Sequence, residues 1–189
     1  FCDSASFSAH KIGGPKGTGL LYLKKPLEVL GLGGGQERGI RPGTENIQGA
    51  AAFAERMENI CTEQAVKKNH AAATERWASL YRELKSLKRC TILPEERTEQ
   101  DSRFSPYILQ ASFKDIPGEV MLRTLDDAGI AVSTGSACSA GETKRPVLSA
   151  MGISDTTAFS AVRFSQGWTT SMDDINRLLD AIRDTLQRF

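Results

Sequence analysis

The spacing of apolar positions divides the chain into short strands and longer helices. Short apolar runs at 5–8, 19–23, 91–93, 107–113, 130–132 and 161–165 are typical of strands, and the run at 19–23 is expected to be buried. From about Asn46 to Leu87, apolar residues recur at intervals of three and four, which predicts a long helix with a bend near 63–69. Shorter helices are expected at 117–128 and 146–151.

A last helix is expected after the segment TTSMDD, because a Ser or Thr cap followed by two acids stabilises a helix start. The order of these elements predicts an α/β chain. It would consist of part of an α/β lobe, a long connecting helix, and a compact α+β lobe.

Composition and charge narrow the class of protein. The 189 residues are 40% hydrophobic and 25% charged, as in ordinary soluble globular proteins. The net charge of +1 gives no support to nucleic acid or an anionic membrane as a partner. No apolar run approaches the roughly 18 residues of a membrane span, and no signal segment is visible.

The cysteines indicate a reducing compartment. Cys2, Cys61, Cys90 and Cys138 form no CxxC pair, and with two histidines a metal cluster is not expected. We therefore expect free thiols and a cytoplasmic protein. Because the sequence begins at Phe1 without Met, we also expect a fragment or a processed chain.

One lysine lies between potential phosphate-binding side chains and a glycine-rich loop. In SFSAHKIGGPKGTG, residues 6–19, Lys11 follows Ser8 and His10 and precedes a glycine-rich loop. Hydroxyl and imidazole groups can donate to a phosphate, glycines allow close approach, and a lysine amine with a lowered pKa forms Schiff bases. The alternative, a surface lysine ahead of a tight turn, is equally compatible with composition. GxxxxGK[ST] does not occur, which excludes a Walker-type loop.

Two further segments carry candidate chemistry. Cys138 lies in STGSACSAG, where small polar neighbours favour an exposed thiol over a buried one. Arg163, in the apolar strand AVRFS, would need an anion if it points inward, although a solvent-facing arginine is as compatible with the pattern. Thr44 is a weaker candidate, since a threonine that caps a helix needs no ligand.

Four segments in order resemble the cysteine desulfurases of the NifS/IscS type, within the class V aminotransferase family of pyridoxal phosphate enzymes. They are SFSAHKIGGPKGTGLLYL, LGGGQERGIRPGT, STGSAC and SAVRFSQGWTTSMDDI, and they extend over essentially the whole chain. The resemblance implies a fold-type I architecture. Residues 1–65 would be the C-terminal part of the cofactor-binding large domain with the start of the long helix, and 66–189 the small C-terminal domain.

The resemblance also implies roles. Lys11 would be the Schiff-base lysine for pyridoxal 5'-phosphate, with Ser8 and His10 on its phosphate, and Thr44 would reach the phosphate of the partner subunit in a homodimer. Cys138 would accept sulfur, and Arg163 would bind the carboxylate of L-cysteine. The sulfur would then pass to an acceptor protein such as an iron–sulfur scaffold, for cluster assembly or thiolation.

Some positions depart from the family pattern. Leu32 and Pro42 replace its usual His and Ser, and the residues after Cys138 differ from the common sequence. The family's N-terminal half is missing, so this chain alone is expected to be inactive. A selenocysteine lyase, another enzyme of the same fold, or a non-catalytic dimerisation or scaffold module remain alternatives.

Overall fold

The computed structural model describes residues 2–27, 33–99, 101–135 and 145–189. The chain divides into two compact units, Phe1–Lys67 and Lys68–Phe189. Their interpretation as parts of a large and a small domain remains a prediction. In the described ranges, no helix is long and apolar enough to cross a membrane.

The described part of the first unit is built mainly on a hairpin and a helix. Strands β1 (Ser4–Ser8) and β2 (Gly19–Leu23) pair antiparallel, with Ser8 opposite Gly19. Helix α1 (Ile47–Ile60) begins at Asn46, whose side chain accepts a hydrogen bond from the amide of Gly49 at 3.0 Å. This cap satisfies one of the amides that a helix start leaves unpaired.

The expectation that β2 is buried was wrong. Leu20, Leu21 and Tyr22 keep 39%, 50% and 46% of their surface exposed. Since successive strand residues face opposite sides, these side chains lie on both faces of the hairpin. No other strand within the described residues pairs with β1 or β2.

The predicted long helix is two helices. It is interrupted at Cys61 and Thr62, just before the expected bend, and α2 follows as Glu63–Ser86. The hydroxyl of Thr62 accepts a hydrogen bond from the amide of Ala65 at 3.2 Å. A threonine that caps the next turn in this way stabilises a new helix start, which explains the position of the break.

The second unit is built on a three-stranded antiparallel sheet. Its strands are β3 (Cys90–Leu93), β4 (Ile108–Phe113) and β5 (Ala161–Ser165), in the order β3-β4-β5. Leu109 of β4 lies opposite Phe164 of β5. The strands therefore match the sequence pattern within a residue at each end.

Helices complete the second unit. They are α3 (Gly118–Asp127), α4 (Pro146–Ala150), α5 (Asp155–Phe159) and α6 (Met172–Arg188). Helix α6 begins with a reciprocal capping box, as its sequence predicted. The main core contains buried side chains from α2, the sheet, α3 and α6: Trp77, Leu80, Leu84, Ile92, Leu109, Phe113, Met121, Leu125, Val162, Phe164, Ile175, Leu179 and Ile182.

The strand expected at 130–132 does not form. Gly129 ends α3 with φ of 75°, and the amide of Ile130 donates to the carbonyl of Leu125 at 2.8 Å. That bond closes the helix end and removes a donor that a strand would need. Pairing with β5 is limited to a single bridge between Ser133 and Arg163.

A buried guanidinium organises the connection from β3 to β4. Arg97 is 6% exposed and donates to the carbonyls of Ser105 and Ile108, both at 2.9 Å. Its guanidinium carbon lies 4.4 Å from the ring centre of Trp77 and 4.9 Å from that of Phe104. Stacking on two aromatic rings is favourable for a planar cation.

We expect Leu109→Ala to destabilise the second unit by about 2–5 kcal/mol, because Leu109 is 1% exposed and its removal leaves a cavity. The neighbouring Ile108→Ala, at a position 46% exposed, should cost less than about 1 kcal/mol. Urea unfolding followed by tryptophan fluorescence measures both, since both tryptophans lie in this unit. Equal losses would contradict the burial assigned to β4.

Candidate active site

The lysine found in the sequence lies in a tight turn. Strand β1 ends at Ser8, and residues Ala9–Ile12 form one turn of 3-10 helix. Gly13 ends the turn with φ of 80°, a conformation that glycine adopts without strain. Ser8, His10 and Lys11 are thus brought together within one turn at the end of a strand.

Helix α1 anchors this turn. Arg56 Nε donates to the carbonyl of Ile12 at 2.7 Å, and Ala9 is completely buried. A Cβ on Gly49 would lie 2.5 Å from the hydroxyl of Thr18, so only glycine permits this approach of helix and loop. The contacts with helix α1 therefore fix the backbone of the lysine turn.

The side chains of the turn remain available. His10 and Lys11 are exposed, Ser8 is half-buried, and none of the three side chains has a hydrogen bond to another residue of the described ranges. Thr18 Oγ1 is buried, and none of the described residues forms a hydrogen bond with it. An amine, an imidazole and hydroxyls at one strand end are a suitable donor set for an aldehyde that carries a phosphate. This set fits pyridoxal phosphate.

Thr44 lies just ahead of helix α1. It is exposed in the segment 41–46 ahead of α1, and Asn46, not Thr44, caps the helix. None of the described hydrogen bonds joins Thr44 to Ser8, His10 or Lys11. The helix-cap explanation for Thr44 is therefore wrong, and its hydroxyl is free for another use.

Arg163 occupies β5 in the second unit. Its backbone pairs with Gln110 of β4 on one side and bridges Ser133 on the other, with an N···O distance of 2.7 Å from Arg163 to Ser133. Arg163 Nε is buried and has no hydrogen-bond partner among the described residues. A buried guanidinium N–H without an acceptor is costly, and a carboxylate would satisfy it.

The segment that leads toward Cys138 runs beside this arginine. The backbones of Ser133 and Arg163 exchange two hydrogen bonds. The hydroxyl of Thr134 donates to the carboxylate of Glu119 at 2.7 Å. Cys138 itself lies outside the described residues. On the far side of that gap, Arg145 has a buried Nη1 without a described partner, 3.4 Å from where a Cβ on Gly135 would lie.

The other three cysteines differ in environment. Cys2 and Cys61 are exposed free thiols. Cys90 is half-buried, and burial raises the pKa of its thiol to about 12, with Lys85 acting weakly in the opposite direction. A thiol with that pKa is protonated at neutral pH and is a poor nucleophile. In the described ranges, no three His, Cys, Asp or Glu residues are grouped as metal ligands would be.

Comparison with known families decides the affiliation. The family described as "Aminotransferase class-V" matches residues 1–178. The chain belongs to the class-V aminotransferase family. It is 34% identical over 190 residues to the "NifS/IcsS protein homolog" of Lactobacillus delbrueckii subsp. bulgaricus, covering 99% of this chain and 48% of the relative. It is also 34% identical to the "Cysteine desulfurase IscS" of Dictyoglomus turgidum, covering 98% and 46%.

Solved structures agree with this affiliation. A "NIFS-LIKE PROTEIN" superimposes with a TM-score of 0.81 at 32% identity, covering 99% of this chain and 47% of that one. The class-V aminotransferase fold is thereby confirmed, as is the resemblance to NifS/IscS desulfurases. The chain spans about half the length of the curated relatives that it matches.

The sequence did not reveal two arginines that lie near candidate residues, one in each unit. Arg56 anchors the lysine turn from 44 positions away, and Arg145 follows the cysteine segment. The only sequence signal for Arg56 is its helix face. It follows Gly49 and Phe53 at helical intervals of four and three, so all three residues lie on the same side of the helix. For Arg145 the sequence offers no distinguishing signal.

We expect iodoacetamide at pH 8 to modify Cys2 and Cys61 quickly and Cys90 slowly. A thiol with a pKa of about 12 has a thiolate fraction roughly a thousand-fold below that of an ordinary cysteine. Peptide mass spectrometry of timed samples gives the rate at each site, and in denaturant the three rates should become equal. Alkylation of native Cys90 at the rate of Cys61 would contradict the burial.

Proposed function

We propose that the protein is a cysteine desulfurase, which converts L-cysteine to L-alanine and retains the sulfur as a persulfide on Cys138. The observation that carries the proposal is the lysine turn, in which an exposed amine without a described partner lies beside a hydroxyl and an imidazole that can donate to a phosphate. Relatives named cysteine desulfurase, about a third identical over nearly the whole chain, support the same reaction. Because the chain spans about half their length, the reaction is proposed for a protein of the relatives' full length.

The residues that would hold pyridoxal phosphate lie in the first unit. Lys11 would bond the aldehyde carbon, and Ser8 and His10 would donate to the phosphate. Thr44, exposed and without a described partner, would serve the phosphate of the other subunit in a homodimer. When bound, this cofactor supplies an electron sink that stabilises negative charge at the substrate Cα.

Two basic residues would act on the substrate. The guanidinium of Arg163 would bind the cysteine carboxylate, and its buried Nε, which has no described acceptor, supports this role. A bidentate pair would fix the orientation of Cα. The amine of Lys11, once released, would take the Cα proton as a general base and return a proton to carbon as alanine forms.

Sulfur transfer would fall to Cys138. Its thiolate would attack the substrate sulfur, so that the Sγ–S bond forms while the Cβ–S bond breaks and its electron pair goes to carbon. The products are alanine and a persulfide, with no external oxidant required. The outer sulfur of the persulfide would pass to an acceptor such as an iron–sulfur scaffold in the cytoplasm, and the thiol of Cys138 would be regenerated. The raised pKa of the Cys90 thiol supports the choice of another cysteine for this role.

Borohydride reduces a Schiff base between pyridoxal phosphate and a lysine to a stable pyridoxyl label on that lysine. For Lys11→Ala we expect this label to be lost, because no amine remains at the turn. Lys16→Ala, an exposed lysine shortly after the turn, should keep the label and is the matched control. Labelled peptides are identified by mass spectrometry, in this chain joined to the remaining half of the Dictyoglomus turgidum relative. A label that persists in Lys11→Ala would assign the aldehyde to another lysine.

For Cys138→Ser we expect neither protein-bound sulfur nor alanine release, since a hydroxyl is a poor acceptor of sulfur. Cys61→Ser changes an exposed thiol and should leave both unaffected. Peptide mass spectrometry after incubation with cysteine, in the same full-length protein, locates the extra sulfur. Its appearance on Cys2, Cys61 or Cys90 would refute the assignment.

A further inference from the structure

A cleft in the second unit has no role in the proposed reaction. It lies between α2, α6 and the segment 129–132, and its volume is about 250 Å³. The inner wall is apolar and comprises Trp77, Leu80, Phe164 and Leu178. Phe164 and Ser165 of β5 line it, and Arg163 is not among its lining residues. We call it the α2–α6 cleft.

The mouth of the cleft carries one charge of each sign. Asp174 and Arg177 both line it and are one turn apart on α6. Asp174 Oδ2 accepts the amide and the hydroxyl of Ser171, each at 2.8 Å, which leaves Oδ1 without a described donor. These bonds, the backbone one first, lower the pKa of Asp174, so the carboxylate is ionised at neutral pH. Arg177 makes no hydrogen bond or salt bridge with any residue of the described ranges, although its charge contributes to the lowered pKa of Asp174.

Trp77 provides a fixed aromatic surface in the inner wall of the cleft. It is 4% exposed. Its ring is held by stacking on Tyr81, with 4.9 Å between centroids, and by the Arg97 guanidinium. An aliphatic group that packs against this ring is removed from water, which is favourable.

We propose that the α2–α6 cleft binds a free aliphatic α-amino acid. Its carboxylate pairs with Arg177, its ammonium group with Asp174, and its side chain packs between Trp77, Leu80 and Leu178. A zwitterion can contact both charges at the mouth, whereas an ordinary cation or anion contacts only one of them favourably. The volume lies below the roughly 300–1,000 Å³ that drug-sized ligands occupy, which suits a single amino acid.

The binding is tested by the fluorescence of Trp77, in a Trp168→Phe variant in which Trp77 is the sole tryptophan. We expect L-leucine to change the emission with saturation at a Kd on the order of 1 mM. Leucinamide lacks the carboxylate and N-acetyl-leucine lacks the ammonium group. Each should bind at least about ten-fold more weakly. Equal affinity for the three compounds, or no saturable change with leucine, would overturn the proposal.

Variants of α6 and of the cleft wall locate the site. Arg177→Gln should weaken leucine binding about ten-fold and leave leucinamide unchanged, since leucinamide has no carboxylate for Arg177 to bind. Arg188→Gln, at the far end of the same helix, is the matched control and should have no effect. Ala131→Phe fills an exposed lining position without adding a tryptophan and should abolish binding. Equal effects of the two arginine variants, or unchanged binding in Ala131→Phe, would refute the location.

These measurements need neither cofactor nor turnover. A negative result therefore removes the amino-acid site and leaves the proposed desulfurase reaction untouched. Conversely, loss of sulfur transfer in the Cys138 experiment has no bearing on leucine binding.

Discussion

The hydrogen bond from Arg56 to the carbonyl of Ile12 is the contact on which the candidate active site most depends. A single 3-10 turn is too short to hold its shape alone, because few backbone bonds are gained for the residues that must be ordered. Helix α1 supplies the missing support through Arg56 and through the close approach at Gly49. Lys11 can be exposed and free because the backbone beneath it is fixed.

Strand β5 has a comparable importance in the second unit. One of its faces contributes Phe164 and Val162 to the core, while the alternate position carries Arg163, whose Nε has no acceptor among the described residues. Gln166, directly after the strand, accepts from Arg76 at 2.7 Å and donates to the carbonyls of Ala73 and Pro106. These bonds fix the end of β5 to α2, and they therefore fix which side chains of the strand face the core.

Local signals in the sequence predicted most of this architecture. The apolar runs gave the five strands, and the acids and caps around 171–174 predicted the start of α6. At 130–132 a competing local bond overrode the strand pattern, because the amide of Ile130 closes α3 instead of joining a strand. At β2 the apolar run predicted the strand correctly but not its exposure.

The candidate site was predictable only where its residues are adjacent in sequence. Ser8, His10 and Lys11 share one turn, so their grouping follows from the chain itself. Arg56 and the cleft that joins Trp77 to Arg177 depend on how helices dock, which no local pattern reports.

The buried Arg97 has a consequence of another kind. Its fork bonds two carbonyls three residues apart, so an insertion or deletion between Ser105 and Ile108 would separate acceptors that one side chain must reach together. Among homologous chains, the length of this stretch should therefore vary less than an exposed connection normally does.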